Sequence, residues 1–172
     1  MKFDDSSNII FQEKQFFRHP VLWSIMILCI IASWHAFARI LLNNTMRSVP
    51  EYYPCFIAFI WFFCGIILPL FLWKSHLNVV IRSDGLYYRF QWLQYKTHKI
   101  SMDQILSVQA CTFHPILDFG GWGIRIRRKL TAYTVSGNKG VRITLRNGND
   151  ILLGSLRAEE MESALAPLIN IL

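Results

Sequence analysis

Two long apolar runs decide most of what this chain can become. Val21–Leu42 reads VLWSIMILCIIASWHAFARILL and Cys55–Trp73 reads CFIAFIWFFCGIILPLFLW, the second without one charged side chain. Each holds about 20 consecutive, mainly apolar residues, which at about 1.5 Å rise per residue reaches the roughly 30 Å of a bilayer's hydrocarbon core. A core helix of a soluble protein shows a polar stripe, and these runs do not. The pattern predicts a transmembrane hairpin over residues 21–77, after an N-terminal interfacial segment (1–20) and before a separate domain (78–172). The first run is too long for the apolar core of a signal peptide and lacks a small-residue cleavage site, so it is expected to stay as an anchor.

Composition agrees. Of 172 residues, 53% are hydrophobic and 17% charged, against about a quarter charged in an ordinary soluble domain. The excess apolarity sits in the two runs. From Asn78 onward there are 12 Lys and Arg against 7 Asp and Glu, so most of the net charge of +7 lies there. A basic balance suits an anionic membrane surface, and also serves solubility and topology. Nucleic acid is not expected as a partner, because no recognised motif accompanies the charge. The four cysteines, Cys29, Cys55, Cys64 and Cys111, form no C-x-x-C pair. They describe neither a disulfide framework nor a zinc site.

The lead-in FQEKQFFRHP places Phe11, Phe16 and Phe17 among Glu13, Lys14 and Arg18. Asn8–His19 is expected to be interfacial and partly helical. Lys14 and Arg18 flank the first run, Lys74, Arg82 and Arg89 follow the second, and the connecting loop holds only Arg47, offset by Glu51. The positive-inside bias therefore predicts both termini on the cytoplasmic side. A sequon at Asn43 is too short a pattern to carry weight. His35 and Arg39 share a face of the first run at i, i+4. Buried polar groups in a membrane are costly and often functional, but Arg39 lies close enough to the helix end to snorkel. A structural contact across the hairpin is the expected role, with an ion or proton pathway as the alternative. Pro69 is expected to bend the second helix.

After Asn78 the period changes from helical to alternating. Leu86, Tyr88, Phe90 and Trp92 alternate with Tyr87, Arg89 and Gln91, after the turn Ser83-Asp84-Gly85. Further strands are expected at Lys96–Ser101, Gln109–Phe113, from Ile124, at Thr131–Ser136, from Val141 and at Asp150–Ser155. Met102–Val108 fits either a strand or a helical turn. Met161, Leu165, Leu168 and Ile169 mark one face of a final helix, with Glu159, Glu160 and Glu162 in its first turn. The expected fold is α+β: a transmembrane hairpin, then an antiparallel β-barrel of about seven strands capped by a C-terminal α-helix.

That plan resembles small, uncharacterised bacterial membrane proteins in which a two-helix transmembrane hairpin precedes a C-terminal PH-like domain. Three stretches carry the likeness: Phe11–Phe17 (FQEKQFF), Gly120–Arg125 (GGWGIR) and Gly137–Ser155 (GNKGVRITLRNGNDILLGS). The resemblance implies a PH-like fold and multi-pass residence in a bacterial cytoplasmic (inner) membrane. It implies no ligand, since PH-like folds serve lipid, peptide and protein binding alike.

No motif for nucleophilic, phosphoryl-transfer or metal chemistry is present, so the chain is read as non-enzymatic and without a cofactor. The strongest positive signal is basic. Arg125, Arg127, Arg128 and Lys129 gather beside a Gly-rich turn holding Trp122, and Arg142 and Arg146 alternate along a later strand. Such a cluster attracts anionic headgroups at about 1 kcal/mol per residue. It equally describes the solvated face of a sheet. The first functional expectation is a membrane-anchored scaffold or binding module acting through a protein partner or a second copy. Headgroup recognition by the basic face is the alternative, and a membrane enzyme or transporter subunit built on His35 and Arg39 ranks last.

Overall fold

The computed structural model describes residues 9–17, 20–42, 52–91 and 96–169. The connecting loop with Asn43, Arg47 and Glu51, and Arg18 and Trp92, lie outside the described residues. The chain divides into two compact units: the helices between Arg18 and Lys74, and a β unit that joins the strand before them to everything from Ser75 on.

In the helical unit, α1 runs Pro20–Leu42. A second helical run comprises α2 (Tyr52–Phe62), one π-helical turn (Phe63–Ile67) and α3 (Leu68–Lys74). Both runs are long and apolar enough to cross a membrane. The wide turn lies just before Pro69, which has no N–H and whose ring crowds the preceding turn. There the Leu68 N–H bonds back five residues to the Phe63 carbonyl, the spacing of a π-bulge. The two runs meet at small residues. A Cβ on Gly65 would stand 3.2 Å from Ser33 Oγ, and that hydroxyl is occupied by the Ile30 carbonyl at 2.8 Å. Trp61 stacks on Phe37 (ring centroids 4.5 Å) and meets Trp34 edge-on at 5.2 Å.

Among the described residues the β unit holds nine strands in two sheets, and no closed barrel. The first sheet has the order β1 (Ile9–Phe16), β2 (His76–Arg82), β3 (Gly85–Gln91), β4 (His98–Ile100), all antiparallel. The second comprises β5 (Ile105–Thr112), β6 (Gly123–Arg127), β7 (Leu130–Thr134), β8 (Lys139–Leu145) and β9 (Asp150–Gly154) in the order β5-β8-β9-β7-β6. β7 and β9 run parallel, so the expectation of an all-antiparallel set fails there. β5, β8 and β9 form an antiparallel trio, and the β6–β7 hairpin, inserted between β5 and β8 in sequence, is added at the outer edge of β9. A 3₁₀ turn at Met102–Gln104, with Met102 buried, links the sheets. It resolves the ambiguous stretch as one turn followed by a strand.

The first large correction is β1. Ile9–Phe16 is a strand paired along β2, not a part-helical interfacial segment. His76 and Leu77 belong to β2 rather than to the hairpin. The strand was hard to read because its polarity is inverted. Phe11, Glu13 and Gln15 point inward while Ile9 and Ile10 stay nearly half exposed. The inward polar groups are engaged except for the Gln15 side-chain oxygen, which is buried without a hydrogen-bond partner among the described residues. Glu13 accepts the Ser155 hydroxyl at 2.6 Å and the Leu156 N–H at 2.9 Å, and the Gln15 amide donates to the Gly154 carbonyl at 2.6 Å. Arg157 adds a bond to the Gln12 carbonyl and lies over the Phe11 ring. The segment before the helices is thus latched to the junction of β9 and α5 (Ala158–Ile169).

The core lies between the sheets and under α5. Leu77, Val79, Ile81, Leu86 and Phe90 of the first sheet, and Val141, Ile143 and Leu153 of the second, are fully buried. Met161 and Leu165 of α5 close it, and Pro167 sits inside the helix without ending it. Tyr88 and Tyr133 bridge the sheets edge-on at 4.9 Å, with His98 stacked on Tyr88.

Candidate functional site

Alternation along the second sheet sends Val141, Ile143, Ile151, Leu153 and Tyr133 into the core. The intervening residues emerge on the opposite face. Strand register aligns Gln109, Arg142, Leu152, Ala132 and Arg125 in one row across five strands. At about 4.8 Å per strand, Arg142 and Arg125 start roughly 14 Å apart.

Part of this face carries its own small apolar cluster of Phe113, Ala132 and Leu152, with Phe119 packed against it. The cover comes from the segment after β5. It contains a short helix, α4 (Pro115–Phe119), with Pro at its first position. Asp118 accepts the His114 N–H at 2.7 Å. Gly120 ends the helix in the left-handed region (φ 70°), its N–H bonded to the Ile116 carbonyl, which only glycine adopts without strain. The Phe113 N–H bonds the Asn138 carbonyl at 2.8 Å. Phe119 meets Phe113 edge-on at 5.9 Å, and the Arg127 guanidinium lies 6.0 Å from the Phe119 ring.

Between α4 and the sheet opens a cleft of about 390 Å³. Arg127 and Arg142 line it together with Gln109, Thr112 and Cys111. Asp118 also lines it, and one of its oxygens already holds the His114 N–H. Three ion pairs form among the described residues, Lys99–Asp84, Lys139–Glu159 and Arg157–Glu160. None uses a member of the basic cluster. Burial pushes the Cys111 thiol up, and the positive charge of Arg142 pulls the other way. The arrangement offers two guanidiniums, an amide and a hydroxyl to an anionic group, with a cysteine that is disfavoured as a nucleophile.

The basic residues predicted from the sequence do not form one patch. Arg127 and Arg142 both line the cleft, each with its side chain partly open to solvent. Arg125 shares their face and is exposed, while Arg128 and Lys129 stand exposed at the β6–β7 turn and Arg146 at the β8–β9 turn. Trp122 belongs elsewhere: its ring packs on the main core, and its indole N–H reaches the Gly137 carbonyl at 3.3 Å. Gln109 and Thr112 went unnoticed, because nothing marks a strand residue as facing a cleft until the covering helix is known. His35 and Arg39 are exposed positions of α1, away from the Ser33–Gly65 and Phe37–Trp61 contacts. No group of three or more His, Cys, Asp or Glu suited to a metal occurs among the described residues. No protein family, curated protein or solved structure matches this chain.

Proposed function

We propose that this chain is a non-enzymatic, membrane-anchored binding module whose Arg127–Arg142 cleft takes the phosphate of an anionic lipid headgroup. The observation that carries the reading is that two guanidiniums, neither in an ion pair among the described residues, line one recess of the β unit. Arg presents planar, bidentate donors suited to phosphate. A four-strand meander, an antiparallel trio and a C-terminal helix support a PH-like plan, with the β6–β7 hairpin and the helical hairpin as insertions.

The helices would anchor the module in the bacterial cytoplasmic membrane, with both termini on the cytoplasmic face. Supporting this, β1 and β2 are hydrogen-bonded neighbours on either side of the helical hairpin. The chain must therefore leave and re-enter the β unit on one side of any bilayer it crosses, which two spans satisfy.

The test uses full-length protein in mild detergent, titrated with short-chain phosphatidylglycerol, phosphatidylcholine and inorganic phosphate. Wild type is compared with Arg127→Ala/Arg142→Ala. Selective phosphatidylglycerol binding should weaken roughly 30-fold in the variant, from about 1 kcal/mol per arginine. Equal affinity for inorganic phosphate would reassign the cleft to a free anion. No binding of any of them would refute the reading and leave capture of a protein partner as the account of the module.

A further inference from the structure

We infer that the tip of α4 is a wedge that enters the surface of an anionic bilayer. Ile116 and Leu117 are adjacent and 65% and 81% exposed. Single exposed apolar side chains are common and mean little. These two differ in how they are held. Phe119 anchors one side of the helix on Phe113. Asp118 fixes the helix start through the His114 N–H. Gly120 and Gly121 close its end on the Ile116 and Pro115 carbonyls. The helix is thereby fastened by its polar and aromatic residues, and its two aliphatic ones are turned out.

The surroundings specify the occupant. Arg127 packs against Phe119 of the same helix. Arg125, Arg128 and Lys129 are exposed on β6 and its turn, and none is in an ion pair among the described residues. An aliphatic tip with a cationic skirt matches the interface of an anionic leaflet, where apolar groups sink below the headgroups and basic groups stay among them. A second copy fits less well. A stable interface needs about 800 Å² per partner, and two side chains on a short helix cannot supply it. The chain also carries two runs long and apolar enough to cross a bilayer, and tethering to a membrane favours a second, weaker membrane contact.

The wedge shares an anionic leaflet with the proposed function but does not require a lipid in the cleft, and Arg142→Ala separates the two. The experiment is done on the full chain in nanodiscs of phosphatidylcholine alone or mixed with phosphatidylglycerol. A Leu117→Cys variant, with Cys29, Cys55, Cys64 and Cys111 replaced by Ser, carries an environment-sensitive fluorophore. Asn147→Cys, at the exposed β8–β9 turn, is the control position.

The label at position 117 should shift to the blue in anionic discs and be quenched several-fold more than the control by nitroxide-bearing lipids. Both effects should fall away in neutral discs, in high salt and in Arg125→Ala/Arg128→Ala/Lys129→Ala. Arg142→Ala should leave them intact. Hydrogen exchange of the unlabelled protein over residues 114–121 gives a second reading, slower in anionic discs and restored by Ile116→Ser/Leu117→Ser. Emission at position 117 equal to the control in both discs, with unchanged exchange, would overturn the inference. So would a shift that follows protein density in the disc rather than lipid charge, which would seat a second copy there.

Discussion

Phe16 and His76 face each other across β1 and β2 with their rings 5.2 Å apart. One is the last residue of the strand before the helices and the other the first residue of the strand after them. The helical hairpin is therefore an insertion into a β unit, not an anchor placed ahead of it.

The β unit should consequently survive removal of the hairpin. A chain joining Phe17 to Ser75 through a short Gly-Asn linker keeps the register from Phe16↔His76 onward. It is expected to fold as a soluble protein with dispersed amide resonances and one cooperative melting transition. The fragment beginning at Asn78 should not. It lacks β1 and the start of β2, which exposes the β2 edge and leaves Ser155 and the Leu156 N–H without their carboxylate. Circular dichroism and amide spectra of the two proteins side by side decide the point, and equal folding of both would contradict the insertion.

Glu13 is where that insertion is fastened. Its carboxylate is buried and receives both the Ser155 hydroxyl and the Leu156 N–H. Glu13→Ala would strand one buried and one part-buried donor and is expected to cost about 1–3 kcal/mol. Glu13→Gln retains an acceptor oxygen and should cost about half as much. Chemical denaturation of the hairpin-deleted protein measures both. A loss below about 0.5 kcal/mol for the alanine variant, within the range of an ordinary surface substitution, would mean the latch holds little.

How much of this was legible beforehand depended on whether polarity and periodicity agreed. Val21–Leu42 and Cys55–Trp73 announced two helices because every residue of a membrane-compatible run carries the same signal. β3 and β8 were legible because Leu86, Tyr88 and Phe90, and Val141, Ile143 and Leu145, alternate cleanly. β1 was not, because its buried Glu13 and Gln15 answer to partners more than a hundred residues away. The parallel pairing of β7 with β9 follows from a hairpin crossing to a distant edge, and no local pattern encodes it. In the site, Arg127 and Arg142 stood out as charges. That both line one cleft depends on α4, whose five residues are too few to show a period.

The bridge between the two sheets gives the fold a dependence on alkaline pH. Burial, and secondarily Tyr133, raises the Tyr88 phenol well above its ordinary value of 10.0. The folded protein therefore keeps a proton that the unfolded chain releases. The contribution is fully present below about pH 10 and declines as pH rises beyond it, by at most about 1.4 kcal/mol per pH unit, until the folded phenol itself ionises. Tyr88→Phe keeps the ring against Tyr133 and His98 but removes the titrating group. Its decline between about pH 10 and 11.5 should be shallower than that of wild type. Urea unfolding followed across that range measures the two slopes. Parallel curves would place the alkaline sensitivity on another group and show the Tyr88 proton to be equally held in both states.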